Sequence, residues 1–317
     1  MMDEFNFSKF HEKLLSIQRP GISYSALMPL DNIQVLDWRP DTTCIGFERQ
    51  AYYTIPNIST QIKNYLLQLI DLKRDSNLVA DQVVVCLKKL WITQCLKFAD
   101  GYWKGGIIWK VDCFKKENDK ISYLCQVDTI IEKLNGKFQQ DAPDLISVSL
   151  QATAEKIYSA LHTPGKAGQF VDVYQFKSSF NNIPILIDQQ KKKGLYMTYK
   201  QFLNNTPSTE HFEVEKDKYT DALYTINSTG AYQLERNLWG YCDGQNMYVK
   251  SGEKYFQLYR VNNTFYIYGS KNIEKYVEID PGTASLLNLA TNSGRKITIY
   301  TISSSPYQLD IMNGYIY

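Results

Sequence analysis

Apolar residues recur at helical spacing in three stretches of the first half of the chain. One stretch lies within residues 5–17 and ends before Pro20-Gly21, so a short amphipathic helix is predicted there. A second begins near Ser59 or Thr60, either of which can cap it, and continues to about residue 74. A third follows Asp141-Ala-Pro143, where proline suits the first turn, and predicts a long helix that ends near residue 162.

Three further stretches have the pattern of strands. Residues 83–92 are β-branched at their start and too apolar for a surface strand, which indicates a central strand. Residues 107–114 and 121–127 alternate between apolar and polar positions, and only short links separate the three stretches. Sequential strands followed by a helix predict an α+β first domain, residues 1–170, in which an antiparallel sheet is covered by helices.

Strand patterns dominate the second half of the chain. Residues 198–203 predict one short helix, while Asp243-Gly244 and Asn262-Asn263 separate apolar runs and predict hairpins, because glycine and asparagine accept the positive φ of tight turns. The lysines at 191–193 suit a solvated turn, although such a run could also contact acidic lipid or phosphate. The second domain, residues 171–317, is therefore predicted to be β-rich with one short helix at its N-terminal end.

The composition is that of a globular protein, and it excludes two classes of function. Hydrophobic residues make up 44% and charged residues 21% of the 317 positions, and the formal net charge is only +2. Because a nucleic-acid-binding domain is expected to have a pI above about 9, no nucleic-acid partner is predicted. No apolar run approaches the roughly 20 residues of a membrane-spanning helix. The first residues lack a basic segment followed by an apolar one, so no signal peptide is expected within the chain.

The sequence contains no recognisable catalytic, metal or cofactor motif. It has three histidines in separate regions, no CxxC pair and no glycine-rich phosphate-binding pattern, so no cofactor, metal ligand or catalytic residue is predicted. Asp37 and Asp41 around Arg39 could serve a glycosidase, but residues so close in one loop favour a salt bridge within a turn. Cys242 could act as a nucleophile, but no nearby histidine supplies a base, so a buried thiol is favoured.

Aromatic residues are unusually abundant. They make up 14% of the chain, with 24 tyrosines, which suits either half-exposed sheets or an aromatic surface that binds sugars or other polymers. Tyr102 and Trp103 lie in a predicted loop, and Trp239 and Tyr241 lie just before a predicted hairpin turn. These four are the candidate ligand-binding residues. Trp109 alternates with apolar neighbours and is predicted to lie in the core.

The six cysteines allow two interpretations. Four of them fall in strand-like runs, so buried free thiols are the first expectation. A hairpin register that pairs Glu117 with Ile121 would place Cys113 opposite Cys125, and directly opposed residues have Cβ atoms about 4.5–5.5 Å apart. A disulfide between Cys113 and Cys125 is therefore the alternative.

Part of the second half resembles an uncharacterised family of envelope or secreted proteins from the Bacteroidetes group. The similarity lies in residues 194–207, 238–248 and 255–258. It implies a location in the periplasm or cell envelope, but the family has no assigned activity. The order of elements over residues 83–91 and 107–127, with the helix after Asp141, is loosely similar to the α+β fold of periplasmic lipoproteins that assist envelope machines.

These features predict a non-enzymatic bacterial protein of the cell envelope that binds a protein or glycan partner. The alternative is a hydrolase of an envelope polymer, whose carboxylates would converge only in three dimensions. Two acids in a deep pocket would favour that alternative. A cytoplasmic structural module is the third hypothesis.

Overall fold

The chain forms two compact units of mixed α and β structure. The computed structural model describes residues 5–17, 30–48, 51–69, 81–97, 103–117, 120–134, 138–163, 182–188, 190–217, 220–252, 254–270, 276–278, 296–298, 304–311, 314 and 316. The first unit comprises Asn6–Asn182 with Asn262–Thr264, and the second is built mainly from Ile183–Val261 and Phe265–Ile316. The predicted domain boundary near residue 170 lies outside the described residues. Helices and several sheets are both present, so the fold class is α+β.

The first unit is organised around one seven-stranded sheet. Its strands are β1 (His11–Leu14), β2 (Leu30–Asp37), β3 (Gly46–Glu48), β4 (Ala51–Thr54), β5 (Asp81–Lys97), β6 (Trp103–Glu117) and β7 (Lys120–Leu134). Its helices are α1 (Ile58–Leu69) and α2 (Phe138–His162). The strand order is β1-β4-β3-β5-β6-β7, with β2 paired to β5 beside β3.

The sheet is mixed rather than purely antiparallel. Strands β5, β6 and β7 form the predicted antiparallel meander. Strands β2 and β3 run parallel to β5, and β1 runs parallel to β4. A parallel pair needs a long crossover connection, and the segment between β2 and β5 provides one because it contains α1. Alternation along the sequence identifies a strand but does not reveal its direction.

The prediction of a helix within residues 5–17 is wrong. This segment forms a 3₁₀ turn at Phe7–Lys9 followed by β1, which pairs with β4. The amide of Leu15 continues the pairing by donating to the Thr54 carbonyl at 2.8 Å. Phe7 stacks on Phe47, with ring centroids 5.9 Å apart. Pairing with an existing strand and aromatic packing therefore outweigh the helical spacing of the apolar residues.

One hydrophobic cluster of the first unit combines residues of the sheet with residues of α1 and α2. Val83, Val85 and Leu87 of β5 are fully buried, which confirms the predicted central strand. Trp109 of β6 is also fully buried, as predicted, and its Nε1 donates a hydrogen bond to Thr153 Oγ1 of α2 at 3.1 Å. Residues of α1 and α2 belong to the same hydrophobic cluster as these strands. The indole N–H of Trp109 therefore has a hydrogen-bond partner inside the core.

The second unit is rich in strands, as predicted. Its strands are β8 (Gly194–Tyr196), β9 (Phe212–Lys216), β10 (Asp221–Ile226), β11 (Tyr232–Glu235), β12 (Gly240–Cys242), β13 (Met247–Ser251), β14 (Lys254–Val261), β15 (Thr264–Ser270), β16 (Tyr276–Glu278), β17 (Lys296–Thr298) and β18 (Ser304–Leu309). Its helices are α3 (Pro184–Ile187) and α4 (Tyr199–Leu203). The predicted short helix is α4, which begins with a capping box between Thr198 and Gln201.

Two sheets of the second unit pack on each other. One sheet has the strand order β18-β15-β14-β13-β12-β8, and the other has the order β11-β10-β9. Their shared cluster contains Leu223 of β10, Tyr241 of β12 and Tyr255 of β14, with Leu195 and Leu238. Leu223 is only 1% exposed. This core decides which side of the three-stranded sheet faces outward.

Lys191 differs from the other two lysines of its run. Lys192 and Lys193 are exposed, as expected of a solvated turn, whereas Lys191 is half-buried. Its Nζ donates hydrogen bonds to the carbonyls of Ile185 at 2.5 Å and Asp188 at 2.7 Å. Burial, followed by the positive charge of Arg260, lowers the pKa of Lys191 to about 8. Lys191 thus donates hydrogen bonds to carbonyl groups at the C-terminal end of α3, which is a structural role.

The lowered pKa of Lys191 predicts a pH dependence of stability. Between about pH 8 and the ordinary lysine value of 10.5, the unfolded chain binds more protons at this position than the folded chain. The free energy of unfolding should therefore rise with pH across this window, relative to a Lys191→Gln variant. Urea denaturation of both proteins at several pH values between 7 and 11 measures the difference, in which the other titrating groups cancel. Parallel pH profiles would show that Lys191 keeps its ordinary pKa.

Candidate binding face

The structure separates the four aromatic residues predicted from the sequence. Tyr102 and the side chain of Trp103 lie outside the described residues, and the loop predicted at Trp103 is wrong, because its backbone pairs as the first residue of β6. Trp239 is half-buried and packs against Phe202, with ring centroids 4.3 Å apart. Tyr241 is 2% exposed and stacks on Tyr248 at 4.5 Å. Trp239 and Tyr241 thus contribute to aromatic packing in the second unit, and ligand binding by the four residues stays a prediction.

A more exposed group of aromatic and acidic residues lies on the three-stranded sheet. Successive side chains of a strand point to opposite faces, so Tyr224 points away from the core that contains Leu223. The register places Tyr224 between Glu213 of β9 and Leu234 of β11. The same register pairs Ile226 with Tyr232, and Ala222 with Glu215. We call this outer surface the tyrosine face and define it by Glu213, Glu215, Tyr224, Ile226, Tyr232 and Leu234.

The tyrosine face exposes apolar surface to solvent. Tyr232 is 58% exposed and Leu234 is 41% exposed, while Tyr224 and Ile226 are half-buried. The rings of Tyr224 and Tyr232 meet edge to face, with centroids 6.2 Å apart and an angle of 77°. Contiguous exposed apolar side chains rimmed by polar ones are typical of interaction sites.

The hydroxyl groups of both tyrosines donate hydrogen bonds to carboxylates of the same face. Tyr232 donates a hydrogen bond to Glu213 Oε1 at 3.0 Å, and Tyr224 donates one to Glu215 Oε2 at 3.3 Å. The hydrogen bond to Glu213, with the charge of that carboxylate, raises the pKa of Tyr232 above its ordinary value of 10.0. Tyr232 therefore stays protonated and remains a donor at neutral pH. Each carboxylate keeps further lone pairs that can accept hydrogen bonds from a ligand.

The acids proposed as a glycosidase pair have structural roles. Arg39 binds Asp37 through two contacts, Nε to Oδ1 at 2.9 Å and Nη2 to Oδ2 at 2.7 Å, which confirms the predicted salt bridge. Asp41 Oδ1 accepts a hydrogen bond from the amide of Thr43 at 2.9 Å. These bonds, together with one from Asn262 Nδ2 to Asp41 Oδ1 at 3.0 Å, give both carboxylates structural partners.

Cys242 has the environment of an inert thiol. It is fully buried at the end of β12. Burial raises the pKa of its thiol, and the nearby Asp243 carboxylate acts in the same direction. A thiol with a raised pKa is protonated at neutral pH and is a poor nucleophile, so the interpretation of Cys242 as a buried structural cysteine is favoured.

An open depression lies on the first unit. Its volume is about 360 Å³, and it lies between β2, β5 and the first turn of α1. It is lined by Ile33, Gln34, Val35, Ser59, Thr60, Lys63 and Gln82. No carboxylate lines it, so this depression does not supply the pair of acids that a hydrolase of the expected kind requires.

Within the part of the chain that the structure describes, no three side chains of histidine, cysteine, aspartate or glutamate gather into a group that could hold a metal ion. Among the same residues, no helix combines the length and the apolar character needed to cross a membrane.

Neither a protein-family model nor a curated protein matches the chain. The function must therefore be inferred from the geometry of the chain's own residues.

Sequence reasoning missed the tyrosine face, although part of its signal is present. Residues 221–226 and 232–235 alternate in the manner of strands, and a turn centred on Asn227 separates them. Asn227 Oδ1 accepts hydrogen bonds from the amides of Thr229 and Ala231, at 3.0 and 2.8 Å, and so stabilises this turn. The sequence does not show which alternating set faces the core, because both sets of residues 221–226 contain apolar side chains, Leu223 in one and Tyr224 and Ile226 in the other.

Proposed function

We propose that this protein is a non-enzymatic binding protein of the bacterial cell envelope and that its tyrosine face holds a glycan. The observation that carries the proposal is the exposed ring of Tyr232 beside Tyr224, with a carboxylate bonded to each hydroxyl. The envelope location is supported by the resemblance of residues 194–207, 238–248 and 255–258 to envelope proteins. The tyrosine face lies between these segments in the sequence.

The chemistry of the face suits a sugar ring. A pyranose has an apolar face of C–H bonds that can stack on an aromatic ring, and a rim of hydroxyl groups that need hydrogen-bond partners. Tyr232 and Tyr224 provide the rings, and Glu213 and Glu215 provide ionised acceptors, which make stronger hydrogen bonds than neutral ones. The hydroxyl–carboxylate bonds also restrain both tyrosines before binding, which lowers the entropy cost of association.

A glycan fits the size of the face better than a protein does. A standard protein interface involves about 20–30 residues on each side. The tyrosine face has six residues on strands of five, six and four residues. A small, flat aromatic platform is large enough for one or two sugar rings.

We also infer that α1 and α2 cover one face of the first unit's sheet. The β-rich second unit would then be the part of the protein that contacts the glycan.

Replacing Tyr232 with alanine should weaken glycan binding by about tenfold or more, which corresponds to roughly 1.4 kcal/mol or more of binding free energy. The expected loss follows from removing the most exposed ring of the face. Tyr232→Phe keeps the ring but loses the hydrogen bond to Glu213, so its affinity for the glycan should lie between those of the unmodified protein and Tyr232→Ala. Binding is first detected on an array of peptidoglycan, capsule and lipopolysaccharide glycans. The affinity of each protein for the glycan that binds is then measured by calorimetry.

Tyr268→Ala is the matched control. Tyr268 lies on β15 of the same unit and is 50% exposed, but it is not part of the tyrosine face. Its replacement should leave glycan binding unchanged. Equal losses in the Tyr232 and Tyr268 variants, or no glycan bound by the unmodified protein, would overturn the proposal. Capture of an envelope protein that depends on Tyr232 would instead identify a protein partner, and release of sugar from the array would identify a hydrolase.

A further inference from the structure

Two cysteines of the first unit face each other across adjacent strands. Cys113 of β6 pairs directly with Cys125 of β7. At the turn, the register pairs Glu117 with Lys120, one residue away from the register predicted by the sequence, and an irregularity next to Cys113 then corrects the offset. The predicted juxtaposition is therefore confirmed, although the hairpin reaches it by a different register.

The two thiols differ in access to solvent. Cys113 is fully buried in the cluster that combines the sheet with the helices, whereas Cys125 is half-buried at the margin of the same cluster. Both are free thiols in this structure. Their side chains are close enough to act as hydrogen-bond partners of each other. Directly opposed residues of an antiparallel pair have Cα atoms about 4.5–5.5 Å apart, within the range of disulfides.

The surroundings of the pair shift the pKa values of the two thiols in opposite directions. The hydrogen bond from Cys113 lowers the pKa of Cys125, and the positive charge of Lys156 on α2 acts in the same direction. The same hydrogen bond, together with burial, raises the pKa of Cys113. A partly buried thiol with a lowered pKa beside a fully buried thiol matches the division between an attacking and a resolving cysteine.

We propose that Cys113 and Cys125 are a redox-active dithiol that low-molecular-weight disulfides, such as oxidised glutathione, convert into a cross-strand disulfide. This inference is independent of the tyrosine face, which lies in the other unit. It assigns a modification site to the β6–β7 hairpin. Closing the bond would restrain the unfolded chain around the hairpin and so stabilise the first unit.

The reaction proceeds by two exchanges. The Cys125 thiolate attacks one sulfur of oxidised glutathione, the glutathione S–S bond breaks, and one glutathione leaves as a thiolate that takes up a proton. Cys113 then loses its proton to solvent, and its sulfur attacks the Cys125 sulfur of the mixed disulfide. The second glutathione leaves as a thiolate and is protonated in turn. Two protein thiols are oxidised by two electrons, and one glutathione disulfide is reduced to two thiols.

Three other described cysteines lack this arrangement. Cys86 of β5 pairs with Asp112, whereas its neighbour Val85 pairs with Cys113, so Cys86 points to the opposite face of the sheet. Burial raises the pKa of Cys86. Cys44 and Cys242 are buried free thiols. Oxidation by glutathione disulfide should therefore select the Cys113–Cys125 pair among the five cysteines whose side chains the structure describes.

The test is to equilibrate the full-length protein with an excess of oxidised glutathione, alkylate the remaining thiols and identify tryptic peptides by mass spectrometry. Lys115, Lys116 and Lys120 lie between the two cysteines, so trypsin separates them unless a disulfide joins their peptides. The expected product is a Cys113–Cys125 linked pair that has lost two hydrogens. The thermal midpoint of the oxidised protein should also rise, and dithiothreitol should reverse both changes.

Variants distinguish the two roles. Cys113→Ser should trap glutathione on Cys125, because no resolving thiol remains. Cys125→Ser should leave Cys113 unmodified, and the control Cys242→Ser should form the linked peptide as the unmodified protein does. If a variant fails to fold, the rates of iodoacetamide alkylation in the unmodified protein give the same information, with Cys125 reacting first. Full alkylation of both cysteines after equilibration, or faster alkylation of Cys113, would overturn the proposal.

Discussion

Replacing Trp109 with alanine is expected to lower the free energy of unfolding of the first unit by about 3–5 kcal/mol. The side chain is fully buried within the cluster formed by the sheet and both helices, so its removal leaves a large cavity in close-packed surroundings. The variant also loses the hydrogen bond from Nε1 to Thr153. Thr153 keeps its bond to the Ser149 carbonyl at 2.8 Å, so the cavity makes the larger contribution.

Chemical denaturation of Trp109→Ala and Trp109→Phe measures this effect. The phenylalanine variant retains most of the buried volume and should lose less stability than the alanine variant. Tyr158→Ala, at a residue of α2 that is 37% exposed, is the control and should cost much less. If Trp109→Ala changed stability no more than Tyr158→Ala, the packing of β6 against α2 would have to be different from that described.

Gly240→Ala is expected to destabilise the second unit by about 1–3 kcal/mol or more. Gly240 lies on β12, where it pairs with Val249 of β13 and Tyr196 of β8. A Cβ atom at this position would lie 2.1 Å from the carbonyl oxygen of Tyr248. That oxygen belongs to the backbone, so a change of rotamer cannot relieve the overlap. Strands β12 and β13 would have to move apart at the position where β12 lies between β13 and β8.

Gly230→Ala separates this overlap from the general cost of replacing glycine. Gly230 has a φ of +79°, and no atom lies within 4 Å of an added Cβ, so only backbone strain of about 1 kcal/mol is expected. Thermal unfolding followed by tyrosine circular dichroism compares the two variants with the unmodified protein. A loss at Gly240 no larger than the loss at Gly230 would contradict the close approach of β12 and β13.

The sequence by itself determined the elements whose apolar pattern is long or whose turn chemistry is specific. The β-branched run at residues 83–92 became the central strand β5, and the stripe after Asp141 became α2. The Asp243-Gly244 turn separates β12 from β13, with Gly244 at a φ of +103°. These patterns succeed because burial on one face or both faces of an element imposes a period on the sequence.

The tertiary structure decided what depends on contacts between distant segments. Residues 11–14 became strand β1 because β4 offered a partner, and β2 and β3 took a parallel direction beside β5. The same applies to the tyrosine face. Alternation marked β10 and β11 as strands, but only packing of Leu223 against the second sheet turned Tyr224 and Tyr232 toward solvent. A period of two defines two faces, and the choice between them depends on the surface that the strand meets.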